Sequence, residues 1–260
     1  MIRAMWTAAS GMQAQQLNVD TIANNLANAN TTAYKKERVE FKDLLYQQLA
    51  NGEGKPVNLQ VGHGVKPGAI VKDFGGGSPQ ETDNSLDLAI DGDGFFTVLG
   101  PNDKELYTRD GSFKLSVDGD TVMFTTSDGY PVLDSGGSEI YFDSDQKDIS
   151  VSKLGIISVK NEDGTDEEIG RIGTARFLNP QGLEAAGDNL YAATTASGEP
   201  VYEDETDTTS NINQGFLESS NVQVVKEMVD LITAQRAYEI NSKSIQTSDE
   251  MLSIADNLKR

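Results

Sequence analysis

Residues 221–258, NVQVVKEMVDLITAQRAYEINSKSIQTSDEMLSIADNL, decide the fold. Leu217 just ahead of them, then Val224, Leu231, Tyr238, Ile245 and Leu252, repeat apolar character every seven positions. Val225, Met228, Ile232, Ala255 and Leu258 broaden the stripe. At 37% hydrophobic composition, six such positions fall in register by chance about 2% of the time over seven phases. The spacing predicts a helix from about Asn221 to Leu258. Ser220 and Gln223 stand where a capping box would start it, each side chain satisfying the other residue's free amide. Such a helix is ~57 Å long, more than the ~47 Å diameter of a compact globule of this chain length. It needs a partner.

The amino-terminal stretch offers one. Met5, Met12, Val19 and Leu26 are also seven apart, with Ala8 and Ile22 beside them. The two ends together suggest helices lying side by side with a 3.5-residue repeat; the alternative is an ordinary helical hairpin inside one monomer. Gln13, Gln15, Gln16, Asn18, Asn24, Asn25, Asn28 and Asn30 crowd the first helix, and no Lys or Glu occurs between Ile2 and Tyr34. Amides both donate and accept, so they are expected to satisfy one another across subunit contacts. Met1-Ile2-Arg3 and the apolar run to Met12 imitate a secretory leader, but Thr7, Ser10 and Gly11 interrupt that run. No cleaved signal is expected.

Composition separates these ends from the rest. The 260 residues carry 21 basic and 41 acidic side chains, a net −20. Residues 1–50 hold +1 and residues 211–260 hold −2, which leaves −19 for the middle. All seven prolines lie in that middle, with every glycine but Gly11 and Gly215. Both residue types punctuate chains into turns and are costly inside helices. Two helical ends therefore flank an acidic, turn-rich, β-rich body, and the fold class is α+β. The acidity argues against nucleic acid. No run approaches the length of a membrane span, and the absence of cysteine removes disulfides and thiolate metal sites.

Within the body, Asp-Gly pairs at 91–92, 110–111, 118–119 and 128–129 separate short apolar runs, the strongest local hairpin signal. Further strands are expected over 149–160, 170–178 and 191–193. Asp91-Gly92-Asp93 and Asp118-Gly119-Asp120 fail the calcium-loop template, lacking its later acidic ligands, and read as structural turns. Gly75-Gly76-Gly77 completes no phosphate loop. His63, the only histidine, lies between Gly62 and Gly64 with no nucleophile elbow to serve. No catalytic residue, metal or cofactor is expected.

Three stretches then carry a resemblance. Residues 17–35, LNVDTIANNLANANTTAYK, closely resemble the amino-terminal signature of bacterial flagellar rod and hook proteins. Glu227-Met228-Val229 through Arg236-Ala237-Tyr238-Glu239-Ile240-Asn241 resemble their carboxy-terminal signature, and LDLAIDGDGFF at 86–96 the start of their β-rich domain. Trp6-Thr7-Ala8-Ala9-Ser10-Gly11-Met12 and Thr247-Ser248-Asp249-Glu250-Met251-Leu252 resemble the distal-rod type. The resemblance implies a structural subunit of a rigid tubular drive shaft, exported unfolded by the flagellar export apparatus to the periplasm and cell-wall region. It implies terminal helices paired coiled-coil-like in an inner tube (1–33 and 215–260), an extended arm (34–80) and an outer β-rich domain (81–214). Expected partners are further copies in a helical homopolymer, proximal rod subunits, the hook or hook-junction protein and the P- and L-ring bushing, with no membrane insertion. The polymer interface is expected on Met5, Met12, Val19, Ile22, Leu26, Leu217, Val224, Leu231, Tyr238, Ile245 and Leu252. Arm contacts are expected from Gln60, Val61, Gly62, His63, Gly64 and Val65, within a 46–73 segment resembling the one associated with straight rods. The alternatives are a proximal rod or hook subunit, or a rod-associated cell-wall hydrolase.

Overall fold

The structure, a computed structural model, describes residues 2–48, 60–101, 103–118, 121–143, 147–160, 166–203 and 209–257. The chain divides into two units: Met1–Ala29, Lys36–Asp73 and Val222–Arg260 form one, Asn30–Lys35 and Phe74–Asn221 the other.

The first unit contains helix α1 (Ile2–Ala27), strands β1 (Glu37–Asp43), β2 (Tyr46–Gln48), β3 (Gln60–Gly62) and β4 (Val65–Lys72), and helix α2 (Val224–Asn257). The helices pack on one another. Asn25 of α1 bonds Glu227 of α2, whereas Gly11 lies against the Asn241 side chain. Fourteen residues forward on one helix match fourteen back on the other, so the pair is antiparallel. Ala8, Ala14, Thr21, Ile22 and Asn25 are its buried residues on α1; Glu227, Ala234 and Ser248 are those on α2. Small side chains let two helix backbones approach closely, and the approach then covers those side chains completely. The seam is thus built on a line of small and polar residues adjoining the large apolar stripe.

The start of α2 differs from the expected one. The helix begins at Val224, and the Glu227 N–H donates to the Gln223 carbonyl at 3.0 Å, closing its first turn. Gln223 therefore occupies the cap position, three residues after Ser220. Leu217 falls in strand Phe216–Glu218, which pairs with Pro79–Glu81. Its place in the heptad count is a coincidence of spacing, because ladder pairing and burial of Glu218 decide the local backbone. Leu258 lies outside the described residues.

Strands β1 and β4 pair antiparallel from Glu37↔Lys72 to Asp43↔Val65, with a bulge at Glu40/Phe41. Strands β2 and β3 form a second short antiparallel ribbon. The described residues of 46–73 thus form β2, β3 and β4, while 49–59 fall outside the described residues.

Among its described residues the second unit is β-rich, with one short turn of 3-10 helix at Pro180–Gly182. Its strands are β5 (Pro79–Glu81), β6 (Leu88–Asp91), β7 (Phe95–Leu99), β8 (Glu105–Thr108), β9 (Lys114–Asp118), β10 (Thr121–Thr125), β11 (Tyr141–Asp143) and β12 (Lys147–Val151). There follow β13 (Ile156–Lys160), β14 (Asp166–Arg171), β15 (Thr174–Arg176), β16 (Glu184–Gly187), β17 (Leu190–Ala192), β18 (Val201–Tyr202), β19 (Asn211–Gln214) and β20 (Phe216–Glu218). The largest sheet runs β16-β17-β8-β7-β15-β18; β11-β10-β9 and β12-β13-β14 form two smaller ones, and β19-β6 and β20-β5 pair separately. Neighbouring residues on β7 point to opposite faces. Phe96 enters one core with Leu88, Val98, Phe113, Phe124 and Ile172, and Phe95 enters another with Phe74, Tyr107, Phe177 and Tyr191. Edge-to-face ring contacts lock the second core, such as Tyr107 on Phe177 at 4.7 Å between centroids.

Of the four Asp-Gly pairs, two make hairpins. Asp118↔Thr121 closes β9–β10. Ser127–Tyr130 turns back at Gly129 (φ +87°), where Thr126 N–H donates to the Tyr130 carbonyl at 2.8 Å. The others do not: β6 pairs with β19 rather than β7, and β8 with β7 and β17 rather than β9. A local turn signal reports that the chain bends, while sheet partners are chosen by which apolar faces can be buried together.

Candidate functional site

In the first unit, the side chains on which assembly was expected to rest occupy mixed positions. Ile22 is buried; Met5, Met12, Val19, Leu26, Leu231, Ile245 and Leu252 are half-buried; Val224 and Tyr238 stand 42% and 40% exposed. Leu217 is half-buried on β20 in the second unit. Val19 and Tyr238 line a groove along the helix pair with Gln16, Asp20, Gln235 and Glu239. The opposite aspect of α2 carries Val225, Val229, Ile232, Ile240, Met251 and Ile254, each about half exposed or more.

Gln60, Val61 and Gly62 form β3; His63 and Gly64 make the turn, and Val65 opens β4. His63 is exposed. Gly64 and Val65 lie against the chain's own α1, where the Val65 N–H donates to Ser10 Oγ at 3.4 Å. A Cβ at Gly64 would collide with Ser10 Oγ, and its φ of +111° suits only glycine.

Two polar nodes were not foreseen. Asn25, 1% exposed, donates from Nδ2 to the Glu37 carbonyl and accepts from the Glu37 N–H at Oδ1, both at 2.8 Å. It also donates to Glu227 Oε2 at 3.2 Å, and Lys72 Nζ meets Glu37 Oε1 at 2.6 Å. One amide thus ties α1 to both β1 and α2, work inside the subunit rather than across a subunit contact. The available signal was a polar residue three positions from Ile22 on the apolar side.

The second node lies in the second unit. Glu218 Oε1 accepts from Lys35 Nζ at 2.7 Å and from the Gly77 N–H at 2.6 Å, and its Oε2 faces Arg109 NH1 at 3.4 Å. Lys35 also donates to the Gly75 carbonyl at 2.9 Å, and Arg109 to that of Gly92 at 2.6 Å. All three side chains are almost wholly buried. Burial pushes the Arg109 guanidinium below its usual range, opposed by Glu218 and Asp93. Arg109 also stacks over Phe95 at 5.1 Å. Lys35 and Glu218 are 183 residues apart, and no local pattern joins them.

These parts fasten chain segments together; among the described residues no cluster of His, Asp or Glu is arranged to hold a metal ion. Family models match three stretches: Flagella basal body rod protein over 5–35, Flagellar hook protein FlgE/F/G D1 domain over 89–159, and Flagellar basal body rod FlgEFG protein C-terminal over 213–258. The chain is 49% identical to the flagellar basal-body rod protein FlgG of Borreliella burgdorferi, covering 100% of both chains. It is 42% identical to that of Caulobacter vibrioides over 99% of this chain and 100% of that one, and 38% identical to that of Bacillus subtilis over 100% of both. With relatives matched end to end at this identity, the chain belongs to the FlgG family of flagellar basal-body rod proteins.

Proposed function

We propose that this chain is a structural subunit of the distal flagellar rod, polymerising into a rigid tube that carries motor torque to the hook. Full-length kinship with rod proteins at 38–49% identity is the observation that carries this reading. In the tube the terminal helices pair coiled-coil-like as the inner wall, while the acidic β-rich body faces outward. Heterologous contacts that do not close into a ring build a helical polymer. The segment 46–73 lies on neighbouring copies and limits sliding between them, which keeps the shaft straight. Its neighbours are proximal rod subunits, the hook or hook-junction protein and the P- and L-ring bushing, and it reaches the cell-wall region through the flagellar export apparatus.

Electron microscopy of purified, concentrated protein tests the reading. Straight tubes are expected. Curved polymers would indicate a hook-like subunit, and monomers that cleave peptidoglycan would overturn the structural role.

A further inference from the structure

The α2 helix is apolar on two sides, and only one of them faces α1. At 100° per residue, Glu227, Ala234, Asn241 and Ser248 project toward the seam, whereas Val225, Val229, Ile232, Ile240 and Ile254 cluster on the opposite side. Those five, with Met251, are 49–78% exposed. They offer on the order of 600 Å² of apolar surface, at the upper end of what monomers leave open and most of one partner's ~800 Å² share in a standard interface. The same side carries Arg236, Lys243 and Glu250, with Glu239 at its edge beside the groove along the helix pair. A chain with net charge −20 repels its own copies over most of its surface. This stripe carries two cations and two acids, so it is locally neutral, and copies can meet there without the repulsion that the acidic body imposes.

We propose that this outward face, rather than the heptad stripe beside the seam, is where a second copy of the chain docks on α2. The inference rests on the rod reading and specifies the surface that polymerisation uses. The seam face folds the subunit, and the outward face joins it to its neighbours. Leu231, Ile245 and Leu252, half-buried beside α1, then serve the subunit first.

The chain has no cysteine, so a single introduced thiol reports accessibility at its own position. In Ile240→Cys, maleimide labelling is expected to be fast in dilute monomer and at least about tenfold slower in the polymer. Asp128→Cys, exposed in the second unit, should label equally in both states. Ile240→Asp is expected to keep the monomer's helical circular dichroism while losing sedimentable polymer. If wild type polymerises, and Ile240→Cys stays reactive in the polymer or Ile240→Asp still assembles, the stripe faces something other than a copy and the inference fails. If the wild-type chain forms no polymer at any concentration, the rod reading fails instead.

Discussion

Glu218 is the residue on which the second unit's buried charge balance turns. It holds two cations at 2.7 and 3.4 Å in a nearly dry setting, and removing one partner of a buried ion pair strands the others. Glu218→Gln is expected to destabilise the unit by about 3–5 kcal/mol, read from the midpoint of urea unfolding; a change under about 0.5 kcal/mol would show the ion pairs to be dispensable. Two tyrosines give a pH signature. Burial raises the Tyr107 phenol well above its ordinary value, reinforced by its bond with Tyr202; burial also raises Tyr202, reinforced by its bond to Glu105. The unfolded chain releases these protons near pH 10, the folded chain only above it. Stability is therefore intact below about pH 10 and falls as pH rises beyond it. Of eight tyrosines, Tyr107, 2% exposed, should form phenolate, followed by ultraviolet absorbance, only as the fold is lost. Ionisation of all eight while circular dichroism stays native would refute this.

At the scale of elements, the seam between α1 and α2 depends on smallness. Ala234 is 3% exposed, so Ala234→Leu should overpack the seam and cost about 1–3 kcal/mol in thermal unfolding of the helical signal. Gln235→Leu, one position on and exposed, should stay within about 0.5 kcal/mol of wild type; equal effects would mean the helices do not approach closely. The existence of both helices was legible in the seven-residue repeats, and the β-rich body in its glycine and proline. The start of α2 was not, because Leu217 happened to keep the heptad phase while ladder pairing with β5 held it in a strand. Nor could Asp91-Gly92 reveal that β6 would seek β19, more than a hundred residues on. Periodicity records how much of an element is buried; it does not say against what. That is also why the apolar stripe was read as one surface, when Ala234 and Ser248 mark the side toward α1 and Val225, Ile240 and Ile254 the other.

For the whole molecule, the segment 46–73 offers a separable test. Its deletion removes β2, β3 and β4 but neither helix nor any strand of the second unit. Polymer is expected to persist with relaxed straightness or length, measured as tube curvature in electron micrographs; complete loss of assembly would assign the segment to folding instead. The antiparallel helix pair has a temporal consequence. Asn25 and Glu227 are 202 positions apart, and closing so long a loop is entropically slow. Were the chain delivered from its amino end through the proposed export route, α1 would emerge long before α2. The pair could zip shut only after the second unit had passed through, so closure would act as a receipt for delivery, and a prematurely terminated copy would arrive with α1 unmatched.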